Sequence, residues 1–210
     1  MNSNFFAELK ELQAKSIESI LKARTKNEFE PNYQFPYHIG VINDFYLLEA
    51  IYHATKGFDG TQNFIDPCCA DGFSLILANK AGCNAYGLEI ESALVDVAKK
   101  NIKTAQEKDL IDESYEMKVA QGDMFNLGAY KKLGKKFDEY DLFYLYALKS
   151  NETPFLKQFS ESAKDGAKII IVPEIKERKE GYILNELRNL QPLSEEKQGV
   201  RRFYKIYEKR

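Results

Sequence analysis

Three short stretches of the chain carry residue types that could hold and position a small ligand. The longest is FIDPCCADGFSLILANKAGCNAYGLEI, residues 64–90. There an apolar run ends at Asp66, and the small residues Cys68, Cys69, Ala70 and Gly72 follow at once, with Asp71 among them. At the end of a β-strand a chain must turn sharply and let its backbone approach a ligand, which small side chains permit and bulky ones prevent. A second apolar run ends in Glu89 and Ile90, and a carboxylate in that place suits the two hydroxyls of a ribose. The third stretch is QGDMF, residues 121–125, where Asp123 could take the amino group of an adenine while Met124 or Phe125 covers the ring face. Three strand ends that converge in this way describe a site for an adenosine-like molecule.

Such strand ends need a scaffold, and the hydrophobic patterning points to one. Over residues 4–24, Phe5, Phe6, Leu9, Leu12, Ile17, Ile20 and Leu21 recur mostly at three- and four-residue spacings, which predicts an amphipathic helix. Residues 27–40 hold Pro31, Pro36 and several aromatic residues and read as an ordered loop. A further helix is expected over 41–55, stopping near Gly57. Short apolar runs then alternate with helical stretches: strands near 64–66, 84–90, 115–120, 141–146 and 168–172, with helices over 73–81, 91–108 and 154–163. That alternation predicts an α/β fold with a mostly parallel sheet. Residues 190–195 and 200–207, joined through Lys197, Gln198 and Gly199, read as an antiparallel hairpin closing one side of it.

The 210 residues, 44% hydrophobic and 30% charged, suffice for one sizeable core and leave little for a second full domain. A formal charge of -2 gives no general attraction for nucleic acid or anionic lipid. The absence of a long apolar run or a signal-like start makes a cytoplasmic location, with no membrane partner, the expectation. Cys68 and Cys69 are neighbours, not a CxxC pair, so no metal site is expected. They read first as small turn residues, while His53 reads as structural and residues 131–136 as a solvated basic loop.

In order and spacing, the residues quoted above resemble the class I S-adenosylmethionine (SAM) dependent methyltransferases, whose first motif is D-x-G-x-G-x-G or a shortened form of it. The resemblance covers roughly residues 37–210. It implies a single Rossmann-like methyltransferase domain over 41–210, with a mostly parallel seven-stranded sheet and a C-terminal antiparallel hairpin. Residues 1–40 would form an N-terminal helical extension and aromatic loop. It also implies SAM as cofactor. Carried over by position, Asp66 is the motif acid, Cys68 and Ala70 replace its first two glycines, and Gly72 holds a later small position. Glu89 then matches the ribose-binding acid, with Ile90 beside it, and Asp123 the adenine-binding one. Asp71, Met124 and Phe125 complete the expected cofactor contacts.

A narrower stretch, YLYALKSNETPFL at residues 144–156, resembles the segment after the fourth strand in archaeal-type protein lysine methyltransferases, and QFPYH at 34–38 is similar to their proline-containing aromatic segment. That likeness implies an amine acceptor. Tyr144, Tyr146 and Tyr37 would desolvate the amine and lower its pKa, His38 would accept a proton, and Asn151 would orient the acceptor or hold the methionine end of the cofactor. No Asn-Pro-Pro-Tyr type motif follows the fourth strand, which lowers the nucleobase and glutamine amide readings. A protein lysine and a small molecule both stay open as acceptor. So do a noncatalytic module that keeps the fold for partner binding and a nicotinamide-dependent oxidoreductase, although the glycine-poor turn suits a pyrophosphate badly.

Overall fold

The computed structural model describes residues 3–25, 44–147, 151–173, 190–192 and 204–210. Helix α1 spans Ser3–Thr25 and α2 Asp44–Thr55; then β1 (Asn63–Asp66), α3 (Phe73–Lys80), β2 (Asn84–Glu89), α4 (Ser92–Glu107), β3 (Met117–Gln121) and β4 (Leu142–Ala147) follow. The order ends with α5 (Glu152–Ser162), β5 (Lys168–Pro173), β6 (Leu190–Pro192) and β7 (Lys205–Lys209). The sheet is mixed and mostly parallel, in the order β3-β2-β1-β4-β5-β7-β6. Strands β1 to β5 pair in parallel, and β7 runs antiparallel to both β5 and the three-residue β6. The expected connection at 197–199, the aromatic loop at 27–40 and His38 lie outside the described residues.

Both faces of the sheet are covered, and successive strand residues divide between them because side chains alternate along a strand. Phe64, Ala85, Leu142, Tyr144 and Ile170 join α1, α2 and α3 in one core. Ile65, Tyr86, Phe143, Leu145 and Ile171 join α5 in the other. Helix α3 is buried along residues 73–79, which explains why its sequence has no charged residue before Lys80 and no polar stripe.

The basic stretch at 131–136 departs from its expected form. Short 3-10 segments at Ala129–Leu133 and Phe137–Glu139 pin it down. Tyr130, Leu133 and Phe137 are buried in the second core, with the Tyr130 and Phe137 ring centroids 4.9 Å apart. Lys131, Lys132 and Lys136 remain exposed. The lysines had suggested solvent, while Leu133 between them and the aromatic anchors Tyr130 and Phe137 on either side decide the structure.

Helices α1 and α4 bury stripes that contain one polar residue each. On α1 the buried positions are Phe5, Leu9, Leu12, Ser16 and Ile20, while Leu21 is 51% exposed, contrary to its expected place on the apolar face. On α4 they are Leu94, Val95, Ala98, Asn101 and Ala105, with Lys99, Lys100 and Lys103 outside. Among the described residues no helix is long and apolar enough to cross a membrane.

Candidate functional site

Sequence order reverses in the sheet at β1, whose neighbours are β2 on one side and β4 on the other. In such sheets a crevice opens beyond the carboxyl ends of the strands at this reversal, because the connecting segments leave in opposite directions. The turn after β1 begins there. Asp66 ends the strand, is 3% exposed, and accepts the Cys68 amide at 3.0 Å and the Ser74 hydroxyl from the first turn of α3.

The turn is built by internal hydrogen bonds. The Cys69 amide donates to the Leu88 carbonyl at 2.8 Å and the Gly72 amide to the Cys69 carbonyl at 2.8 Å. Gly72, at φ 80, caps α3 in the left-handed region, and a Cβ there would lie 3.1 Å from Cβ of Ala98. Gly87, within β2, leaves the space that Cys69 occupies, since a Cβ on it would sit 2.6 Å from the Cys69 Sγ. Ala70 also adopts a positive φ, 45°, at the place of the second motif glycine. A side chain in that region costs roughly 1–2 kcal/mol. Among the described residues Cys68 has no such backbone, so the first replacement carries no comparable strain.

Glu89 joins the turn to the ends of β2 and β3. It is 4% exposed; its Oε2 accepts the Ala70 amide and its Oε1 the Glu91 amide, each at 3.0 Å. The Gly122 amide donates to the Glu89 carbonyl at 2.9 Å, and the Gln121 side chain to the Ile90 carbonyl at 3.1 Å. Asp123 therefore starts its loop beside Glu89. Asp123 is exposed and accepts the Phe125 amide at 2.9 Å, while Ile90 and Phe125, 58% and 43% exposed, stand nearby at the rim.

Asp66, Cys68, Ala70, Glu89, Ile90, Asp123 and Phe125 thus gather along the carboxyl edge of β1, β2 and β3. Gly72 belongs to the same turn, and the remaining expected residues that are described stand elsewhere. The Asp71 carboxylate turns back to accept the Ser16 hydroxyl at 3.3 Å. Met124 is buried in the second core, its carbonyl taking the Tyr130 hydroxyl and the Gln158 amide. Tyr144 is 2% exposed and stacks with Phe64 in the first core at 6.3 Å, so a position expected to line an acceptor pocket is a packing position. Tyr144 and Tyr146, two residues apart on β4, share one face, and depth along that face separates a half-buried Tyr146 from a buried Tyr144. Asn151 stands at the N-cap of α5, just beyond β4. Further positions absent from the sequence reading are Gly87, whose signal was a glycine inside a strand, and Ser16 and Asn101, whose signal was a polar residue on an apolar stripe.

The electrostatics are one-sided. Burial, reinforced by the nearby Glu89 and Asp71 charges, pushes the Asp66 carboxyl up to about 7 against the opposing bonds from Ser74 and Cys68. Burial raises Glu89 as well, partly offset by the Glu91, Ala70 and Ile90 amides. Among the described residues no lysine or arginine forms an ion pair with either. The same burial and the same carboxylates lift both thiols, Cys68 and Cys69, well above the ordinary cysteine range, which keeps them protonated and poorly nucleophilic at neutral pH. The amides of Cys68, Cys69, Ala70 and Gly72 are already engaged. What the turn offers a ligand is close approach and negative charge, not a nest of donors.

The fold has counterparts among solved structures. A Klebsiella pneumoniae protein provisionally designated an O-methyltransferase superposes with a TM-score of 0.62 at 14% identity, over 96% of this chain and 89% of that one. A provisionally designated methylase from Haemophilus influenzae gives a TM-score of 0.56 at 16% identity, over 79% of this chain and 98% of that one. At these identities the likeness establishes a shared α/β, Rossmann-like fold. No family model and no curated protein matches the sequence.

Proposed function

We propose that the chain is a SAM-dependent methyltransferase of class I, with β6 counted as the seventh strand of its sheet. The observation that carries this reading is the buried acidic edge made by Asp66 and Glu89, which lacks a basic partner among the described residues. A sulfonium ligand with an ammonium group brings positive charge to that edge, whereas the pyrophosphate of a nicotinamide dinucleotide brings negative charge to it. Asp66 also sits where such a phosphate would need to meet the start of α3, so the oxidoreductase alternative is disfavoured.

In this reading Glu89 accepts the ribose hydroxyls through the second lone pair of each oxygen, and Asp123 takes the adenine amino group. Ile90 and Phe125 cover the base, while the turn at 68–72 faces the methionine part. The bound sulfonium supplies an electrophilic methyl carbon. The protein's task is then to align an acceptor lone pair with that carbon and keep water away. Tyr146 and Asn151, at the end of β4 and the start of α5, flank the acceptor's approach. With Tyr144 in the core, the lysine reading loses one of the groups it relied on, and a small-molecule acceptor is preferred. The designations of the two structural counterparts agree with methyl-transfer chemistry.

Calorimetry with SAM and with NAD tests the cofactor: micromolar SAM binding without NAD competition supports the reading, and absence of SAM binding ends it. Labelled methyl transfer into fractionated lysate, followed by mass spectrometry, identifies the acceptor; label in protein lysines would overturn the small-molecule preference.

A further inference from the structure

Ser16 and Asn101 interrupt two apolar stripes at the place where α1 and α4 meet. Both are buried, at 2% and 4% exposure, and a buried polar group without a partner costs more than the apolar residue it displaces. Their bonds converge on one target. The Asn101 side-chain amide donates at 2.9 Å to the Ser16 hydroxyl and at 2.9 Å to the Asp71 carbonyl, and the Ser16 hydroxyl lies 3.3 Å from the Asp71 carboxylate.

Asp71 follows Ala70, whose left-handed backbone is disfavoured for any residue with a side chain and persists only when its surroundings hold it. Glu89 holds the Ala70 amide from the front. Ser16 and Asn101 hold Asp71 from behind. Gly72, next along, packs on Ala98 of the same helix, one turn before Asn101. The turn is therefore clamped between the β2 carboxylate and a polar group in which Asn101 of α4 holds the Asp71 carbonyl directly and Ser16 completes the contact only when α1 is docked.

We propose that α1, acting through Ser16 and Asn101, is a positioning element for residues 70–72 and sets the affinity of the site for the methionine portion of an adenosyl cofactor. This rests on the cofactor reading given above. Neither residue reaches the ligand; both act through Asp71. Asp71 itself is then a strut of the turn rather than a cofactor contact.

The test compares wild type with Ser16→Ala, Asn101→Leu and Ser16→Thr, the last retaining the hydroxyl. Calorimetry measures SAM, S-adenosylhomocysteine and 5′-methylthioadenosine, which has the nucleoside but no amino-acid end. Hydrogen exchange of the ligand-free proteins follows the amides of residues 70–72 beside those of β1 and β2. Loss of a buried hydrogen bond at the turn is expected to weaken SAM and S-adenosylhomocysteine about tenfold and methylthioadenosine less than about twofold. Exchange should quicken at 70–72 and stay unchanged in β1 and β2, and Ser16→Thr should recover both properties. Parallel weakening of all three ligands would make the residues merely structural and overturn the proposal, as would unchanged exchange at 70–72. A wild-type protein that binds none of the three would overturn the cofactor reading, and exchange would still report whether α1 holds the turn.

Discussion

The sheet buries charge at both of its ends, and the two ends handle it in opposite ways. At the amino end of β5, Lys168 is 7% exposed, and its ammonium donates to the Ala54 and Lys56 carbonyls at 2.8 and 2.9 Å while lying 4.3 Å from the Phe58 ring centroid. Its charge sits against the negative end of α2, where a cation is welcome, although burial still lowers its pKa. At the carboxyl end, Asp66 and Glu89 are buried near each other, the Glu89 charge adding to the cost of ionising Asp66, with the strained Ala70 between them in the chain. A buried charge matched by a helix end is part of the scaffold. A buried pair of like sign, held by amides but lacking a counter-charge among the described residues, gives up stability that a ligand of opposite sign can restore.

The sharpest way to break this contrast is Glu89→Gln. The amide keeps one acceptor oxygen and loses the other and the charge, so SAM affinity should fall roughly 100-fold, while the backbone amide left without an acceptor costs about 1–3 kcal/mol, offset in part by loss of the buried charge. Calorimetry and urea unfolding on the same variant measure both, and an unaltered affinity would remove Glu89 from the site. Lys168→Met is the mirror experiment. It leaves the Ala54 carbonyl in the last turn of α2 and the Lys56 carbonyl just after it without their donor, and should cost about 2–3 kcal/mol in urea unfolding without changing SAM affinity. A loss of affinity there would mean that the two ends are not independent.

Asp66→Asn sharpens the comparison through pH. The folded-state carboxyl is raised from its ordinary 3.8 to about 7, so the unfolded chain holds fewer protons between those values. Stability from this group is therefore present in full below about pH 4 and is lost as pH rises through about 7. Asparagine lacks that loss while keeping an acceptor for Cys68 and offering a donor to Ser74. Its stability margin over wild type should open across this window to roughly 4 kcal/mol at pH 8, read from urea midpoints. A margin that does not change with pH would contradict a buried, uncompensated carboxyl. The smallest effect is expected from Ala70→Gly, which relieves the left-handed side chain and should add about 0.5–1 kcal/mol, visible as a modest rise in Tm.

Much of this arrangement could be read from residue order. The strands from 63 to 173 fall within a few residues of their expected places because apolar runs, turn residues and helix stops agree with one another there. Asp66, Glu89 and Asp123 were legible as strand-end acids. What periodicity could not supply was depth and direction. It could not say which of Tyr144 and Tyr146 reaches the core, that the Asp71 carboxylate turns to Ser16, or that the acceptors for the turn amides lie within the protein. Nor could it pair Ser16 with Asn101, because each is an anomaly on its own helix and their relation exists only once the helices pack.

That pairing spans 85 positions of sequence. During synthesis α1 is made long before α4, so its buried face, Phe5 to Ile20, must wait without its proper neighbour. Closing so long a loop is entropically slow to be rewarded, which places docking of this helix late in the route to the native state. A growing chain would thus carry an exposed sticky helix as a natural client for holding factors on the ribosome, and under the proposed reading competence to bind the cofactor would arrive only after that helix has found its seat.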